Sequence, residues 1–516
     1  MVIGTGEKKV KTRSTMKILN KTILNAGESV QFPEKVLQFG TGVLLRGLPD
    51  YFIEKANRQG IFNGRIVVVK STGQGDTGEF SQQDGLYTLH INGLKNGQEV
   101  RETILVSAIS RVLHAATEWQ EILEIADNPD ISVVISNTTE VGITLDRAEN
   151  LEASPPSSFP GKLTALLYRR FRCFDGDPDK GWVILPTELI GDNGTTLKAI
   201  VLQLALQHNL GQAFIAWVEQ ANDFCNTLVD RIVPGKLPAA EAAEQEARLG
   251  YRDGLAIMAE PFRLWAIESA SPRVPDRLSF AKADEGIVIT PDIRKFKELK
   301  LRLLNGTHTF SCGLAVACGF TTVKEAMADP SFMAYVNQLM RREIVPAIVG
   351  DGIEEQEALT FADAVLDRFS NPFLDHRWLS ISMNFTSKMQ MRNVALLQQN
   401  ATRRQAPPRC MAMGFAAYLR FMKGIEQPDG TFTGRIGDKS YSIQDEHARY
   451  FADVWKSDDH NQLVDNVLAD KSLWKADLSS LSGFADLVKA DLAHLLAAGN
   501  GVELLKQLET SYPISQ

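Results

Sequence analysis

The chain has 516 residues, of which 44% are hydrophobic and 23% charged, and its formal net charge is −8. This is the composition of a globular protein with two or three domains. The acidic balance argues against nucleic acid or an anionic membrane as a main partner. Since no apolar run of about 18 residues occurs, no membrane span is predicted. Residues 1–15 are basic and lack the apolar core of a secretory signal, and we expect a mobile tail there.

The first 200 residues alternate short apolar runs with helical stretches. Strands are predicted at residues 35–40, 66–69, 104–107, 131–135 and 183–185, and helices at 43–59, with a break at Pro49, and at 119–126. This alternation predicts an α/β fold with a Rossmann-like, doubly wound sheet. We assign this dinucleotide-binding domain to residues 16–290.

Helical spacing dominates after about residue 195. Helices are predicted at residues 197–208, 211–229, 295–304, 330–345, 358–368, 409–424 and 484–498. We therefore expect a mostly α-helical C-terminal domain over residues 291–516. The five cysteines are widely spaced and form no CxxC pair, so no disulfide framework is predicted and a reducing compartment, the cytoplasm, fits best. Cys312 and Cys318 lie in an apolar stretch and should be buried.

A glycine turn follows the first predicted strand and precedes a helix. Gly40 permits a tight turn, and Gly42 lets the backbone approach a pyrophosphate at the positive helix N-terminus. Leu45 replaces the third glycine of the usual dinucleotide fingerprint. The loop thus indicates dinucleotide binding, with an ordinary strand-to-helix turn as the alternative. Its assigned residues are Phe39, Gly40, Thr41, Gly42, Val43 and Leu44.

Two further strand ends complete the predicted cofactor site. Lys70 ends the second strand, where an NAD site often has an acidic residue for the ribose 2′-hydroxyl. Asp76 is a possible substitute for that acidic residue. Spacing alone therefore does not decide between NAD and NADP. Short polar groups after the fourth strand suit ribose hydroxyls and a carboxamide, although a helix-capping turn is the alternative. These residues are Asn137, Thr138, Thr139 and Glu140.

Lys300, Asn305 and His308 carry the clearest chemical signal. On an α-helix Asn305 lies about 140° and His308 about 80° around from Lys300, so all three can face one side. When a ketone is reduced, an asparagine amide can stabilise the developing alkoxide, and a lysine ammonium can supply the proton. Gly306 is unfavourable inside a helix, which suggests that another group approaches closely there. The alternative is an amphipathic helix with a surface lysine.

The Lys300–His308 segment and the glycine turn resemble the long-chain mannitol dehydrogenase family of polyol-specific dehydrogenases and reductases. The resemblance extends from about residue 34 to about residue 450, and the family's cofactor turn commonly lacks the third glycine. Several segments are most similar to the branch that acts on keto-hexuronates. The further segments that carry the resemblance are QDGLYTL, SNTTEVGI, FPGKLTALLYRRF, LPTELIGDNG, NTLVDRIVPG, AEPFRLW and RFSNP.

The resemblance implies a Rossmann domain followed by a helical domain, with the active site in the cleft between them. It makes Lys300 the general acid and base and Asp230 a substrate-side carboxylate, with a structural ion pair to the adjacent Arg231 as the alternative. The residues matched to an oxyanion hole are Asn193 and Asn305. The residues matched to substrate contacts are His308, Asp230, Arg368 and Lys388.

The implied reaction is the reversible, NAD(H)-dependent reduction of a keto-hexuronate such as tagaturonate to an aldonate such as altronate. NADP is not excluded. No metal site is predicted, because the acidic loop at residues 175–179 lacks the glycine and glutamate of a calcium loop and the eight histidines include no HxxxH pair. Alternatives are the epimeric substrate fructuronate, a neutral polyol such as mannitol, and a catalytically silent dinucleotide sensor. The oligomeric state stays open, and the expected partner is a small sugar acid.

Overall fold

The computed structural model describes residues 16–23, 31–71, 77–138, 142–350, 352–404 and 406–498, together with residues 503, 504, 506 and 510. The chain forms two compact units, which are Met1–Asn92 with Val100–Ile293, and Gly93–Glu99 with Arg294–Gln516. The predicted tail, residues 1–15, lies outside the described residues. No helix among the described residues is long and apolar enough to cross a bilayer.

A six-stranded parallel sheet forms the centre of the first unit. Numbered along the chain, its strands lie in the order 3-2-1-4-5-6, which is the order of the doubly wound dinucleotide-binding fold. The predicted Rossmann-like sheet is therefore confirmed. In spatial order the strands are Ile109–His114, Arg65–Lys70, Glu34–Phe39, Val133–Ser136, Val183–Pro186 and Asp223–Phe224.

Both faces of this sheet are buried because its strands are apolar on both sides. Val36 and Ile66 belong to one hydrophobic cluster, whereas Leu37 and Val67 belong to a second, as the two-residue period of a strand requires. The α-helices of the unit are Val43–Gly47, Pro49–Arg58, Gly78–Gln82, Ala115–Glu124, Phe159–Cys173, Asn193–Gln207, Gln212–Ala221, Ala239–Leu249 and Arg273–Arg277. Short 3₁₀ turns are Lys21–Ile23, Ile125–Asp127, Pro178–Lys180 and Ser279–Ala283. Pro49 begins its helix, which explains the predicted break.

Smaller sheets hold the strands outside the central sheet, and they correct two sequence predictions. Residues 104–107 are not a central strand, because residues up to Val106 belong to a strand that pairs with Tyr87–Lys95. Residues 211–229 are not one helix, because the helix ends at Ala221 and strands follow. Among the described residues, the smaller sheets here comprise Ile257–Ala259, Tyr87–Lys95 and Gln98–Val106, then Asn226–Asp230, Leu264–Glu268 and Ile287–Thr290, and finally Lys17–Ile18 and Tyr251–Arg252.

The second unit is mostly helical, as predicted, with one antiparallel three-stranded sheet that the sequence did not indicate. Its α-helices are Arg294–Leu299, Thr307–Ala317, Val323–Ala328, Pro330–Gln338, Val345–Ile348, Glu355–Phe369, Trp378–Ile381, Phe385–Arg403, Arg409–Phe421, Ala448–Val454, His460–Ala469, Lys471–Trp474 and Phe484–Ala497. The other elements are the π-helices Lys300–Gly306 and Leu339–Ile344, the 3₁₀ turn Leu478–Ser480, and the strands Gly424–Glu426, Phe432–Ile436 and Lys439–Ile443.

Two helices of the second unit, Thr307–Ala317 and Arg409–Phe421, pack at glycines. A Cβ atom added at Gly313 would lie 2.5 Å from the carbonyl oxygen of Ala417, and one added at Gly414 would lie 2.7 Å from that of Phe310. The two backbones can approach this closely only because neither glycine has a side chain. Cys312, in the same contact region, is buried as predicted, and so is Cys318.

Candidate functional site

The glycine turn after the first strand has the conformation that the sequence predicted. Gly40 has a φ of 125°, and a Cβ atom there would lie 2.9 Å from the carbonyl oxygen of Asn137. Any side chain at this position would therefore be strained and would clash with the neighbouring loop. A Cβ atom at Gly42 would meet no described atom within 4 Å, so the backbone there faces open space. The helix Val43–Gly47 begins directly after it.

This turn lies where the chain order of the sheet reverses. The strands Glu34–Phe39 and Val133–Ser136 are parallel neighbours, with Phe39 opposite Ser136, and successive strands are added on opposite sides of this pair. Open α/β sheets bind ligands outside the carboxyl ends of the strands at such a switch point. Residues 39–44, together with Asn137 and Thr138, follow these two strand ends, where the sequence predicts a dinucleotide. Thr139 and Glu140 lie outside the described residues.

A buried carboxylate that the sequence analysis missed holds the second of these loops. Glu188 is 3% exposed, and its Oε1 accepts hydrogen bonds from the Thr138 N–H at 2.8 Å and the Thr138 hydroxyl at 2.9 Å. Its Oε2 accepts one from the Ser136 hydroxyl at 3.1 Å. Asn137 donates through Nδ2 to the Thr187 hydroxyl at 3.0 Å. The available signal was an acidic residue just beyond the carboxyl end of the strand Val183–Pro186.

Asn193 is held by main-chain groups, and its role in an oxyanion hole stays a prediction. Its side chain is 1% exposed, and Nδ2 donates to the carbonyl oxygens of Pro186, Glu188 and Thr227 at 3.0, 3.1 and 3.2 Å. Its Oδ1 accepts from the N–H groups of Gly194 and Thr227, both at 2.9 Å. Because main-chain groups occupy the whole amide, it has no hydrogen left to donate to a substrate in this conformation.

Asp230 is buried at the end of the strand Asn226–Asp230. The neighbouring Arg231 is also buried, and it donates to the carbonyl oxygens of Gly47 at 2.6 Å and Glu260 at 2.9 Å. Its guanidinium lies 4.7 Å from the ring centre of Tyr51, and burial lowers the pKa of Arg231 to about 10. Main-chain carbonyls and an aromatic face thus hold Arg231.

Lys70 is buried at the end of its strand, and Asp76 lies outside the described residues.

In the second unit, Lys300–Gly306 is a π-helix, which corrects the α-helical geometry assumed from the sequence. A π-helix closes i→i+5 hydrogen bonds and needs more residues per turn than an α-helix. Residues five apart therefore come closer to one face, and Lys300 and Asn305 are five apart. Both residues are partly buried. No described residue hydrogen-bonds the side-chain amide of Asn305, in contrast to that of Asn193.

The neighbouring helix Phe385–Arg403 holds this π-helix in place. Arg302 donates through Nη1 to the carbonyl oxygens of Met391 at 3.1 Å and Arg392 at 2.6 Å. A Cβ atom at Gly306 would lie 2.9 Å from Oδ1 of Asn393 on the same helix. The close approach that Gly306 suggested is therefore present, and the approaching group is a protein side chain.

His308, Arg368 and Lys388 come together in the second unit. His308 is 7% exposed, and its ring stacks on Phe369, the residue after Arg368, with ring centres 4.0 Å apart and planes at 18°. Burial, followed by the charges of nearby basic residues, holds the pKa of His308 well below its usual value. Lys388 donates through Nζ to the carbonyl oxygen of Ile381 at 2.8 Å. The basic residues that act on His308 are His376, Arg392, Arg368 and Lys388.

His376 and Arg392 were missed by the sequence analysis. Arg392 follows Lys388 by four residues on one helix, which was the available signal. No sequence signal pointed to His376, because it lies in the loop between two helices, beyond the RFSNP segment. Among the residues that the structure describes, no group of three or more His, Cys, Asp or Glu side chains is placed to hold a metal ion.

Comparison with known sequences identifies both halves of the chain. A sequence profile described as mannitol dehydrogenase Rossmann domain matches residues 34–277, and one described as mannitol dehydrogenase C-terminal domain matches residues 292–496. An altronate oxidoreductase of Halalkalibacterium halodurans is 38% identical over 481 residues, which are 92% of this chain and 93% of that protein. An altronate oxidoreductase of Bacillus subtilis is 36% identical over 488 residues, covering 94% of this chain and 97% of that protein.

Solved structures share the fold at lower identity. Mannitol 2-dehydrogenase of Pseudomonas fluorescens, in a ternary complex with NAD and D-mannitol, matches with a TM-score of 0.65 and 22% identity over 95% of this chain and 99% of that one. A substrate-free D-sorbitol dehydrogenase matches with a TM-score of 0.71 and 21% identity over the same shares of the two chains.

Proposed function

This chain belongs to the mannitol dehydrogenase family, and from that premise we propose that it is an NAD(H)-dependent oxidoreductase acting on CH–OH groups that reversibly reduces the ketone of tagaturonate to give altronate. The assignment of the substrate rests on the 36–38% identity to the altronate oxidoreductases of two bacteria over more than nine-tenths of each chain. The cation cluster around His308 also supports an acidic sugar, because a neutral polyol does not need several positive charges.

The first unit supplies the cofactor site in this proposal. Gly40 and Gly42 let the backbone pass close to the pyrophosphate, and Asn137 and Thr138 offer polar groups to the ribose and the carboxamide. Glu188 keeps the Asn137–Thr138 loop in place. Bound NADH supplies the hydride for ketone reduction and NAD⁺ accepts it in the reverse direction.

The second unit supplies the proton and the stabilising donor. Asn305 donates a hydrogen bond from its side-chain amide to the ketone oxygen as negative charge develops there. Lys300 donates a proton to that oxygen in the direction of reduction and takes it back in the direction of oxidation. The π-helix supports this pairing, because it turns Lys300 and Asn305 toward one face. His308, Arg368 and Lys388 hold the hydroxyls and the carboxylate of the sugar acid.

The decisive experiment measures NADH oxidation by the purified protein with tagaturonate, fructuronate and fructose in parallel, and repeats the series with NADPH. We expect the highest kcat/KM for tagaturonate with NADH. A preference for fructuronate would assign the epimeric reaction, a preference for fructose would assign a neutral polyol dehydrogenase, and NADH binding without turnover would indicate a sensor. Each of these outcomes would refute the proposed substrate.

A Lys300→Ala variant tests the mechanism in the same assay. Its kcat should fall by about 100- to 10,000-fold, because general acid catalysis contributes about that much. NADH binding, followed by its fluorescence, should change little. Lys456→Ala is the matched control, since Lys456 is exposed and pairs with Asp453. Full activity of the Lys300→Ala variant would exclude this mechanism.

A further inference from the structure

His308 lies at the centre of a group of basic side chains in the second unit. Its ring contacts Phe369 by stacking and meets His376 edge-on, with ring centres 5.2 Å apart, and Trp378 at 6.1 Å. The Nε2 atom of His308 is buried and has no hydrogen-bond partner in the described part of the chain. A buried nitrogen without a partner is costly, which suggests that a ligand completes its hydrogen bonding.

The largest electrostatic effects on this histidine come from basic residues. After burial, the causes that lower the pKa of His308 are the charges of His376, Arg392, Arg368 and Lys388, in that order. Lys388 and Arg392 are also four residues apart on one helix, where like charges repel. Such a concentration of basic groups favours an anion at the same place.

Arg392 differs from Arg302, which contacts the same helix, in its counter-ions. Arg302 pairs with Glu298 at 2.9 Å and donates to two carbonyl oxygens. Arg392 is partly buried, and its one hydrogen bond within the described residues runs from Nη1 to the hydroxyl of Thr309 at 3.1 Å. No carboxylate of the described chain pairs with it. Thr309 directly follows His308, and the charge of Arg392 acts on His308.

Apart from Thr309, no described side chain accepts a hydrogen bond from the partly buried guanidinium of Arg392. Burial lowers the pKa of Arg392, which expresses the cost of removing that charge from water. Planar carboxylates match the two-pronged geometry of a guanidinium better than a hydroxyl does. A ligand carboxylate would therefore offset part of the cost of burying this charge.

We propose that Arg392 binds the carboxylate of the sugar acid and, with His376 at the exposed rim of the group, selects acidic sugars over neutral ones. This inference rests on the proposed function for the identity of the substrate, and it adds the residue that sets the substrate class. Arg392 is a binding residue in this assignment, and the acid–base chemistry stays with Lys300.

The kinetic test compares Arg392→Gln, Arg392→Lys and the wild type on tagaturonate and on fructose. We expect Arg392→Gln to raise the KM for tagaturonate by about 10- to 100-fold, as the loss of a charged hydrogen bond predicts, with a smaller change in kcat and no more than about a twofold change in kcat/KM for fructose. The KM of Arg392→Lys for tagaturonate should lie between those of the wild type and of Arg392→Gln. Arg449→Gln is the control, because Arg449 is exposed and paired with Glu426. Equal losses on both sugars, or none, would overturn the assignment.

A binding test separates this inference from the proposed reaction. The melting temperature of the wild type and of Arg392→Gln is measured with NAD⁺ and increasing glucuronate, and again with glucose. Glucuronate should stabilise the wild type more than glucose does, and Arg392→Gln should lose that difference. If the wild type turns over no keto-uronate, the proposed function fails while this shift still reports the anion site. No preferential stabilisation of the wild type by glucuronate, or its retention in Arg392→Gln, would overturn the anion site.

Discussion

Glu188 receives two hydrogen bonds from Thr138, one from the main-chain N–H at 2.8 Å and one from the hydroxyl at 2.9 Å. The two residues follow neighbouring parallel strands, Val183–Pro186 and Val133–Ser136. A charge-assisted pair of this kind, removed from water, fixes the direction of the loop that follows Ser136. The loop is also the predicted ribose site, so its rigidity bears directly on cofactor affinity.

The first prediction concerns this carboxylate. In Glu188→Gln the new Nε2 group replaces an acceptor that faces only donors, so at least one bond to Thr138 or Ser136 is lost. We expect the KM for NADH to rise by about tenfold, while kcat at saturating NADH changes by less than about threefold. Steady-state kinetics check this split, and Glu152→Gln, at an exposed position, is the control. A fall in kcat with an unchanged KM would show that Glu188 does not act through the cofactor loop.

The second prediction contrasts the two asparagines that resemblance placed in one oxyanion hole. Asn305→Ala should lower kcat by about 100-fold, because it removes a donor to the developing charge, and should leave the melting temperature nearly unchanged. Asn193→Ala should instead lower the stability by about 2–4 kcal/mol, since it removes the buried hydrogen bonds that this amide makes with main-chain groups of Pro186, Glu188, Gly194 and Thr227. Thermal unfolding and kcat measured on both variants give the comparison. A stable, inactive Asn193→Ala protein would restore its catalytic assignment.

The third prediction concerns Asp50, which is fully buried in the helix Pro49–Arg58. Burial raises its pKa to about 8, although the charge of Arg46 acts in the opposite direction. Since the pKa in the unfolded chain is about 3.9, the stability contributed by neutral Asp50 is complete below that pH and is lost as pH rises toward 8. Asp50→Asn should therefore lose less stability than the wild type between pH 5 and pH 8. Melting temperatures across this range test the difference, and parallel curves would refute it.

The fourth prediction concerns the contact between the helices Thr307–Ala317 and Arg409–Phe421. Alanine normally favours a helix over glycine by about 1 kcal/mol, yet Gly414→Ala would place Cβ against the Phe310 carbonyl. We expect a net loss of about 1–3 kcal/mol from overpacking, seen as a lower urea midpoint. Gly313→Ala should behave alike, and adding Ala417→Gly should not rescue it, because the clash involves a main-chain oxygen. A raised midpoint for either single variant would contradict the packing.

Local pattern predicted most of the fold because the relevant signals lie within a few residues of each other. The run Ile66–Val69 is β-branched and buried on both faces, and it became a central strand. The strand Ile109–His114 was missed because Ser110 and Arg111 interrupt its apolar pattern, and both side chains bond to Glu34, on the first strand of the sheet. A polar residue whose partner is 76 positions away carries no local signal.

The residues of the candidate site also divide into those that local sequence predicts and those that it does not. Gly40 could be recognised because its left-handed conformation depends on local chain geometry. The main-chain contacts of Asn193 could not be predicted, because its partners include Thr227, 34 residues further along. Arg392 was not singled out for a related reason. What distinguishes it is the lack of a counter-ion among the described residues, which appears only when distant segments are assembled.

The π-helix at Lys300–Gly306 can be regarded as a one-residue insertion into an otherwise regular helical run. The insertion then acts on side-chain orientation. The extra residue changes which side chains share a face, and it does so without lengthening any loop. Deleting a single residue that follows Asn305, such as Gly306, would let the segment relax to ordinary helical winding. The protein would keep every side chain of the proposed mechanism, yet Lys300 and Asn305, still five residues apart, would point in different directions.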